Sequence, residues 1–324
     1  MSEVIVERKP EPILTEEIGR FTQFPIKYPE LQKMYDVAES LFWTANEINF
    51  VADNDDWKQL DAAHREFIEK ILAFFAGADG IVLENLIRNF CYEVKVSEAR
   101  NFYAFQSAIE NIHGITYSLL IETLVNNEER KKHLFNALDE EPCVKAKADW
   151  ALRWLEPGIP FEERLFAFAV VEGVFFSGAF CAIFYLKSRG LMTAALGKSN
   201  ELIARDEGLH TDFAVLLHAH LNNKCTESAA RAIITDAVKI EQDFMSSAVP
   251  CAMIGMNATL MCRYIEYVAD RLMVQFGFKK IYGVSNPFEF MTRMNIDGKT
   301  NFFEQKVSEY KKSAFIPITF DDDF

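Results

Sequence analysis

Two copies of the motif Glu-x-x-His constrain what this chain of 324 residues can fold into more than any other feature. Glu110 and His113 form the first copy, Glu207 and His210 form the second, and each lies in a long stretch typical of a largely apolar helix. Residues three positions apart share one face of a helix, so each motif directs a carboxylate and an imidazole toward one point. The two motifs together predict a metal centre.

An isolated acid precedes each motif in a separate apolar stretch. Asp79 follows the apolar run 71–78, and Glu172 is the only charged residue between Leu165 and Leu186. Moving an ionised carboxylate into a dry interior costs on the order of 20 kcal/mol in the idealised Born limit, so each acid needs a cation, a partner or a proton. One Glu-x-x-His alone is weak evidence because both residues are common on solvated helix faces. The repeated order of acid and motif instead indicates two halves of one site.

Four helices that supply such groups are typical of ferritin-like bundles that bind two iron or manganese ions. We therefore predict an all-α, ferritin-like helical bundle, organised as a single domain over residues 1–312 with a flexible acidic tail over 313–324. The periodicity of apolar residues predicts helices over 29–48, 62–91, 97–126, 144–155, 162–188, 200–221, 226–249 and 251–276.

Composition narrows the possible partners and the compartment. The formal net charge is −14, and no basic stripe interleaves with aromatic residues, so we expect no nucleic-acid binding. Residues 1–15 contain no apolar run of the kind found in signal peptides, which predicts a cytoplasmic protein. The cysteines show no Cys-x-x-Cys spacing, which favours reduced thiols over disulfides; they are Cys91, Cys143, Cys181, Cys225, Cys251 and Cys262.

The segment between Leu165 and Leu186 is long and apolar enough to be mistaken for a membrane span. It carries Glu172 where a bilayer would penalise a charge, and it lacks flanking belts of aromatic and basic residues. Basic residues and Gly190 follow it, a typical signal for the end of a helix. We therefore predict a buried helix of the bundle and no membrane association.

Four motifs carry a resemblance that extends over nearly the whole chain. They are Ala-Asp-Gly-Ile-Val around Asp79, Glu-Asn-Ile-His at 110–113 followed by Tyr117, Val-Glu-Gly at 171–173 followed by Phe-Phe-Ser-Gly, and Arg-Asp-Glu-Gly-Leu-His at 205–210. With them the chain resembles the small, radical-generating subunit of class I ribonucleotide reductase. Residues 147–154, residues 298–304 and the acidic tail that ends in Phe324 are most similar to eukaryotic and eukaryotic-virus members.

The resemblance implies a complete ligand set for two iron ions per chain, which react with O2 to give an oxo-bridged centre and a radical on Tyr117. Two ligands, Glu110 and Glu207, would bridge the ions. Asp79, Glu110 and His113 would hold one iron, and Glu172, Glu207 and His210 would hold the other.

The register of Tyr117, four positions after His113, also places its ring on the metal-facing side of the helix. Judged alone, Tyr117 would be an ordinary buried tyrosine, and the register and the resemblance together favour the radical role. Phe176, Phe180 and Ile203 are expected to form a dry pocket around it, although each is also a normal core residue.

Three further residues gain a role only from the resemblance. Trp43, Asp206 and His113 would form a hydrogen-bonded route for electrons, with Asp206 orienting the imidazole. Tyr310 would pass the radical to the large subunit. Without the resemblance, Trp43 would be a core aromatic residue and Tyr310 a surface tyrosine.

The expected function is that of a homodimeric small subunit that stores a tyrosyl radical while the large subunit reduces ribonucleotides to deoxyribonucleotides. The C-terminal tail would bind the large subunit, and the nucleotide substrates would also bind to the large subunit. The main alternative is a stand-alone di-iron oxygenase or desaturase, against which Tyr117 and the tail argue. An iron-storage ferroxidase and a regulatory scaffold without chemistry are further alternatives.

Overall fold

Helices dominate the computed structural model, which describes residues 8–16, 21–248 and 251–293 and contains no strand in these ranges. The predicted all-α class is therefore confirmed. The α-helices are α1 (Pro29–Ser40), α2 (Asn54–Gln59), α3 (Ala62–Asn85), α4 (Cys91–Glu93), α5 (Ser97–Leu124), α6 (Glu128–Phe135), α7 (Ala137–Glu140), α8 (Pro142–Leu152), α9 (Phe161–Val170), α10 (Ser177–Ser188), α11 (Leu196–His220), α12 (Glu227–Asp243), α13 (Ala258–Gln275) and α14 (Glu289–Arg293).

Short turns of other helical types interrupt this series. The 3-10 turns cover Pro12–Leu14, Ala45–Glu47, Phe50–Asp53, Arg153–Leu155 and Cys251–Ile254. The π-helical turns cover Leu86–Phe90, Val171–Phe175 and Phe244–Ala248. Single π-helical turns within α-helices often occur at functional sites, and the turn Val171–Phe175 contains Glu172.

Local signals explain where the long helices begin and end. The side chain of Asp61 accepts a hydrogen bond from the backbone of His64 at the start of α3, and Asn257 does the same for Leu260 at the start of α13. Gly190, with φ of 76°, follows α10 and allows the chain to turn there, as predicted.

Packing brings the motif-bearing helices together. Helix α3 lies along α5, and α11 packs against α9, α10 and α5, so the acids and the two Glu-x-x-His motifs approach one another in the bundle. The apolar segment Phe161–Ser188 runs through this core, and 94% of its most apolar stretch of 18 residues is buried. The segment is long and apolar enough to cross a membrane by length and composition, and the prediction that it is a buried helix of the bundle is confirmed.

Three predicted helices were wrong at one end. The helix predicted over 200–221 begins at Leu196. The helix predicted over 29–48 ends at Ser40, because Thr44 and Glu47 form a capping box that starts a separate 3-10 turn. The helix predicted over 251–276 begins at Ala258, because Gly255 has φ of 79° and breaks the chain direction. The short helices α2, α6, α7 and α14 were not predicted.

Five of the six cysteines fall within the described residues with side chains placed, and all five are free thiols, as predicted. The predicted domain boundary at residue 312, Tyr310 and the tail over 313–324 lie outside the described residues.

Candidate metal centre

Six buried side chains from four helical segments surround one point in the bundle, and each is at most 4% exposed. All six are predicted ligands. They are Asp79 from α3, Glu110 and His113 from α5, Glu172 from the π-helical turn, and Glu207 and His210 from α11.

Glu110 and Glu207 each reach from one histidine to the other. The two carboxylate oxygens of Glu110 lie 3.3 Å from His113 Nδ1 and 3.0 Å from His210 Nδ1. The oxygens of Glu207 lie 3.1 Å and 3.4 Å from the same two nitrogens. Despite these short distances, Glu110 Oε2, Glu207 Oε1 and His113 Nδ1 form no aligned hydrogen bond. Ligand atoms that face one another without bonding fit a cation between them.

Glu172 closes the cluster from the π-helical turn. Its Oε2 lies 3.4 Å from His210 Nδ1, and its Oε1 accepts a hydrogen bond of 3.1 Å from Gln106 Nε2. One ligand atom from each of Glu110, Glu172, Glu207 and His210 lies within 4.8 Å of the others. A single ion can contact ligand atoms at this spacing.

Asp79 lies beside the cluster, and neither of its carboxylate oxygens has a hydrogen-bond partner. Burial, followed by the charge of Glu110, raises the pKa of Asp79 well above its ordinary value. Burial and the charges of Glu207 and Glu110 likewise raise the pKa of Glu172 well above its ordinary value. Four carboxylates in one dry site cannot all ionise without added positive charge. Together with two imidazoles they fit two divalent transition-metal ions.

Asp206 links Trp43 to His113. The indole nitrogen of Trp43 donates to Asp206 Oδ2 across 2.7 Å, and the same oxygen lies 3.2 Å from His113 Nε2. Burial alone would raise the pKa of Asp206, but the hydrogen bond and charge of His113 and the charge of Arg205 lower it. The acid is therefore ionised and holds His113 Nε2, which leaves Nδ1 facing the carboxylate cluster.

Tyr117 lies on the same face of α5 as the first motif and is fully buried. Its ring stacks on Phe75, with centroids 4.6 Å apart and planes at 11°, and Phe75 also stacks on Phe180 at 5.1 Å. The hydroxyl donates to Asn200 Oδ1 across 3.2 Å. Burial, followed by the carboxylate of Asp79, raises the pKa of Tyr117 well above its ordinary value, so the resting side chain is a neutral phenol.

The structure thus brings the six predicted ligands, Trp43, Asp206 and Tyr117 into one region. Phe176 and Phe180, predicted to line the pocket of Tyr117, both pack on Phe75, and the predicted pocket residue Ile203 is buried on α11. The predicted radical relay Tyr310 lies outside the part of the chain that the structure describes.

Three residues at the site were missed from the sequence, although each has a helical register that could have indicated it. Gln106 precedes Glu110 by one turn, Phe75 precedes Asp79 by one turn, and Asn200 lies two turns before the second motif. Each therefore shares the metal-facing side of its helix.

Comparison with known proteins gives a consistent result. The family model for the small chain of ribonucleotide reductase matches residues 20–287. The ribonucleoside-diphosphate reductase small chain of Neurospora crassa is 55% identical over 97% of this chain and 77% of its own length. That of vaccinia virus (strain Western Reserve) is 55% identical over 93% of this chain and 94% of its own. A ribonucleoside-diphosphate reductase small chain of Arabidopsis thaliana is 53% identical over 94% of this chain and 92% of its own.

Solved structures agree. The ribonucleotide reductase Rnr4 homodimer from Saccharomyces cerevisiae matches with a TM-score of 0.81 and 36% identity over 93% of both chains. The dimanganese(II)-NrdF structure from Streptococcus sanguinis has the same fold, with a TM-score of 0.76 and 16% identity over 84% of this chain and 98% of its own. The chain therefore belongs to the family of ribonucleotide reductase small chains.

Proposed function

We propose that this chain is the radical-generating small subunit of a ribonucleoside-diphosphate reductase and that Tyr117 carries the radical. Two iron ions per chain would occupy the cluster, with Glu110 and Glu207 bridging them. Asp79 and His113 would complete one coordination sphere, and Glu172 and His210 the other.

One observation carries this assignment: Glu110 and Glu207 each present one oxygen to each histidine, within 3.0–3.4 Å of Nδ1. A carboxylate that spans two metal ions must extend its two oxygens in this way. The unpartnered oxygens of Asp79 add a further ligand on the side of the first motif. The arrangement supports a two-metal site better than a site for one ion.

When bound, the iron pair would supply a one-electron oxidant by activating O2. The protein supplies the group to be oxidised and its surroundings. Tyr117 is positioned two turns from Glu110, and Phe75 covers its ring and keeps solvent away from it. Asp206 orients the imidazole of His113. Its hydrogen bond with Trp43 would extend this contact into a route by which electrons reach the centre.

The family also suggests the assembly. We propose a homodimer in the cytoplasm, for which the yeast homodimer of the same fold is the supporting comparison. The large subunit would bind residues 313–324 and receive the oxidising equivalent through Tyr310. The comparisons support this function and offer no support for a stand-alone oxygenase or desaturase.

The variant Tyr117→Phe tests the proposal. It removes one hydroxyl from a buried position, so the fold and the metal centre should survive while the radical is lost. Iron content, the absorption of the oxo-bridged centre and the electron paramagnetic resonance signal would be measured on the same sample. A tyrosyl signal like that of the wild type would place the radical on another residue.

A further inference from the structure

Asn200 is the polar group that contacts the hydroxyl of Tyr117. It is fully buried on α11, its Oδ1 accepts the hydrogen of Tyr117 across 3.2 Å, and its Nδ2 donates to the carbonyl oxygen of Leu196 across 2.8 Å. The second bond fixes the orientation of the amide, because turning it over would set Oδ1 against a carbonyl oxygen. Asn200 therefore presents an acceptor, and not a donor, to Tyr117.

This orientation suits only one redox state of the tyrosine. A phenol has a hydrogen to donate, whereas a phenoxyl oxygen can only accept. Oxidation of Tyr117 to the neutral phenoxyl removes one electron and the hydroxyl proton, and both would be consumed in the reduction of O2 that the loaded site would carry out, because an amide oxygen is too weak a base to hold the proton. Two acceptor oxygens then face each other in an apolar pocket, and the one hydrogen bond that the described residues make to the Tyr117 hydroxyl is lost.

We propose that Asn200 is a positioning residue that raises the reduction potential of the Tyr117 radical by hydrogen-bonding the phenol and not the phenoxyl. The inference rests on the proposed function, since it requires a radical on Tyr117. The net contribution of one hydrogen bond corresponds to about a two- to twelve-fold change in the equilibrium between radical and phenol. A radical that is the stronger oxidant suits a residue that must pass its oxidising equivalent onward.

Ser199 provides a matched control. It is fully buried beside Asn200, and its hydroxyl donates to the same carbonyl oxygen of Leu196 across 3.1 Å. The variant Ser199→Ala therefore disturbs the same turn of α11 without removing the bond to Tyr117. The variant Asn200→Leu removes the acceptor and keeps a similar side-chain volume.

The experiment compares the wild type with Asn200→Leu and Ser199→Ala after loading with ferrous iron and air. Equilibration with a redox mediator, followed by quantitative electron paramagnetic resonance, gives the potential of the radical. In Asn200→Leu the equilibrium ratio of radical to phenol should be about two- to twelve-fold higher than in the wild type. In Ser199→Ala this ratio should equal that of the wild type. An unchanged or less favoured radical in Asn200→Leu would overturn the inference.

Electron–nuclear double resonance in heavy water adds a spectroscopic check. A deuteron coupling to the radical that is present in the wild type and lost in Asn200→Leu would mean that the amide turns over and donates, which would also overturn the inference. The expected result is that the exchangeable couplings of the two proteins are the same.

Metal-free protein gives a readout that does not depend on the loaded centre. Because Tyr117→Phe and Asn200→Leu each remove the same bond, the double variant should lose less thermal stability than the two single variants summed. Additive losses would show that the bond does not exist. If the wild-type protein forms no radical on Tyr117, the proposed function and this inference both fail. If the wild type forms the radical and Asn200→Leu leaves its reduction potential unchanged, only this inference fails.

Discussion

Trp43 donates its indole hydrogen to the same oxygen of Asp206 that contacts His113, across 2.7 Å and 3.2 Å respectively. Arg205 occupies the other oxygen of Asp206 from its Nε across 3.0 Å. The rings of Trp43 and His113 are also nearly parallel, with centroids 6.0 Å apart. The carboxylate of Asp206 is thus shared between Trp43 and His113, and this shared contact supports the proposed electron route.

Replacing Trp43 with phenylalanine should weaken this link without removing a ligand. The lost hydrogen bond to an ionised acid should cost about 1.5–3 kcal/mol of stability. Iron binding should remain near two ions per chain, while the yield of Tyr117 radical should fall several-fold when electrons must come from an external reductant. Rapid-mixing spectroscopy measures the yield. Trp57→Phe, a change at another buried indole on α2, is the control, and equal yields for both variants would contradict the electron route.

The double variant Glu207→Ala, His210→Ala tests the metal site. It removes a proposed bridge and a proposed terminal ligand, so we expect the chain to fold but to bind substantially less iron, with the second ion lost first. Elemental analysis after gel filtration gives the stoichiometry. His218→Ala is a matched control, because His218 is buried two turns further along α11 and its Nε2 accepts from the backbone of Cys225. Near-normal loading of two ions in the double variant would refute the ligand assignment.

The sequence indicated the six buried groups of the candidate site, because two Glu-x-x-His motifs supply four of them and Asp79 and Glu172 are isolated acids in apolar stretches. It could not predict which hydrogen bonds support them. Gln106 donates to Glu172 from a helix 66 positions away in the chain, and Asn200 reaches Tyr117 across 83 positions. Such pairs depend on how α5 packs against its neighbours, and a single sequence does not specify that packing. The π-helical turn that carries Glu172 could not be predicted either, because its other residues have ordinary apolar character.

A buried ion pair supports the end of that π-helical turn. Lys147 on α8 lies 2.6 Å from a carboxylate oxygen of Glu241 and donates to the carbonyl oxygen of Phe175 across 2.6 Å. The contact with Glu241 is not an aligned hydrogen bond, so its attraction is mainly electrostatic. Burial lowers the pKa of Lys147 to about 8, against the opposing charge of Glu241.

Lys147→Met should destabilise the fold by about 3–5 kcal/mol, because it leaves Glu241 buried and unpaired. Adding Glu241→Leu should recover much of this loss, because it removes the uncompensated charge. Urea unfolding measures both. Lys145→Met breaks an exposed pair with Asp149 on the same helix and should cost at most about 1 kcal/mol. Equal losses for Lys147→Met and Lys145→Met would show that the buried pair has no special structural role.

Binding of the large subunit by the acidic C-terminal segment is a proposal that would distinguish a reductase subunit from a stand-alone oxygenase. Phe320 and Phe324 flank three consecutive aspartates, so the segment can bind by burying its aromatic rings while the aspartates meet basic groups on the large subunit. Deleting residues 318–324 should leave iron loading and the Tyr117 radical unchanged, because no proposed ligand lies there. Binding to the large subunit and all ribonucleotide reduction should be lost.

A peptide of the same seven residues should compete with the intact protein for the large subunit. Competition should weaken at high salt, since screening reduces the attraction between the aspartates and basic groups. A scrambled peptide keeps the charge and composition and should compete poorly, because the aromatic residues no longer match their pockets. Affinity measurements on the intact protein, the truncated protein and both peptides give the comparison. Full reductase activity after the truncation would show that the segment makes no essential contact and would favour an enzyme that acts without a large subunit.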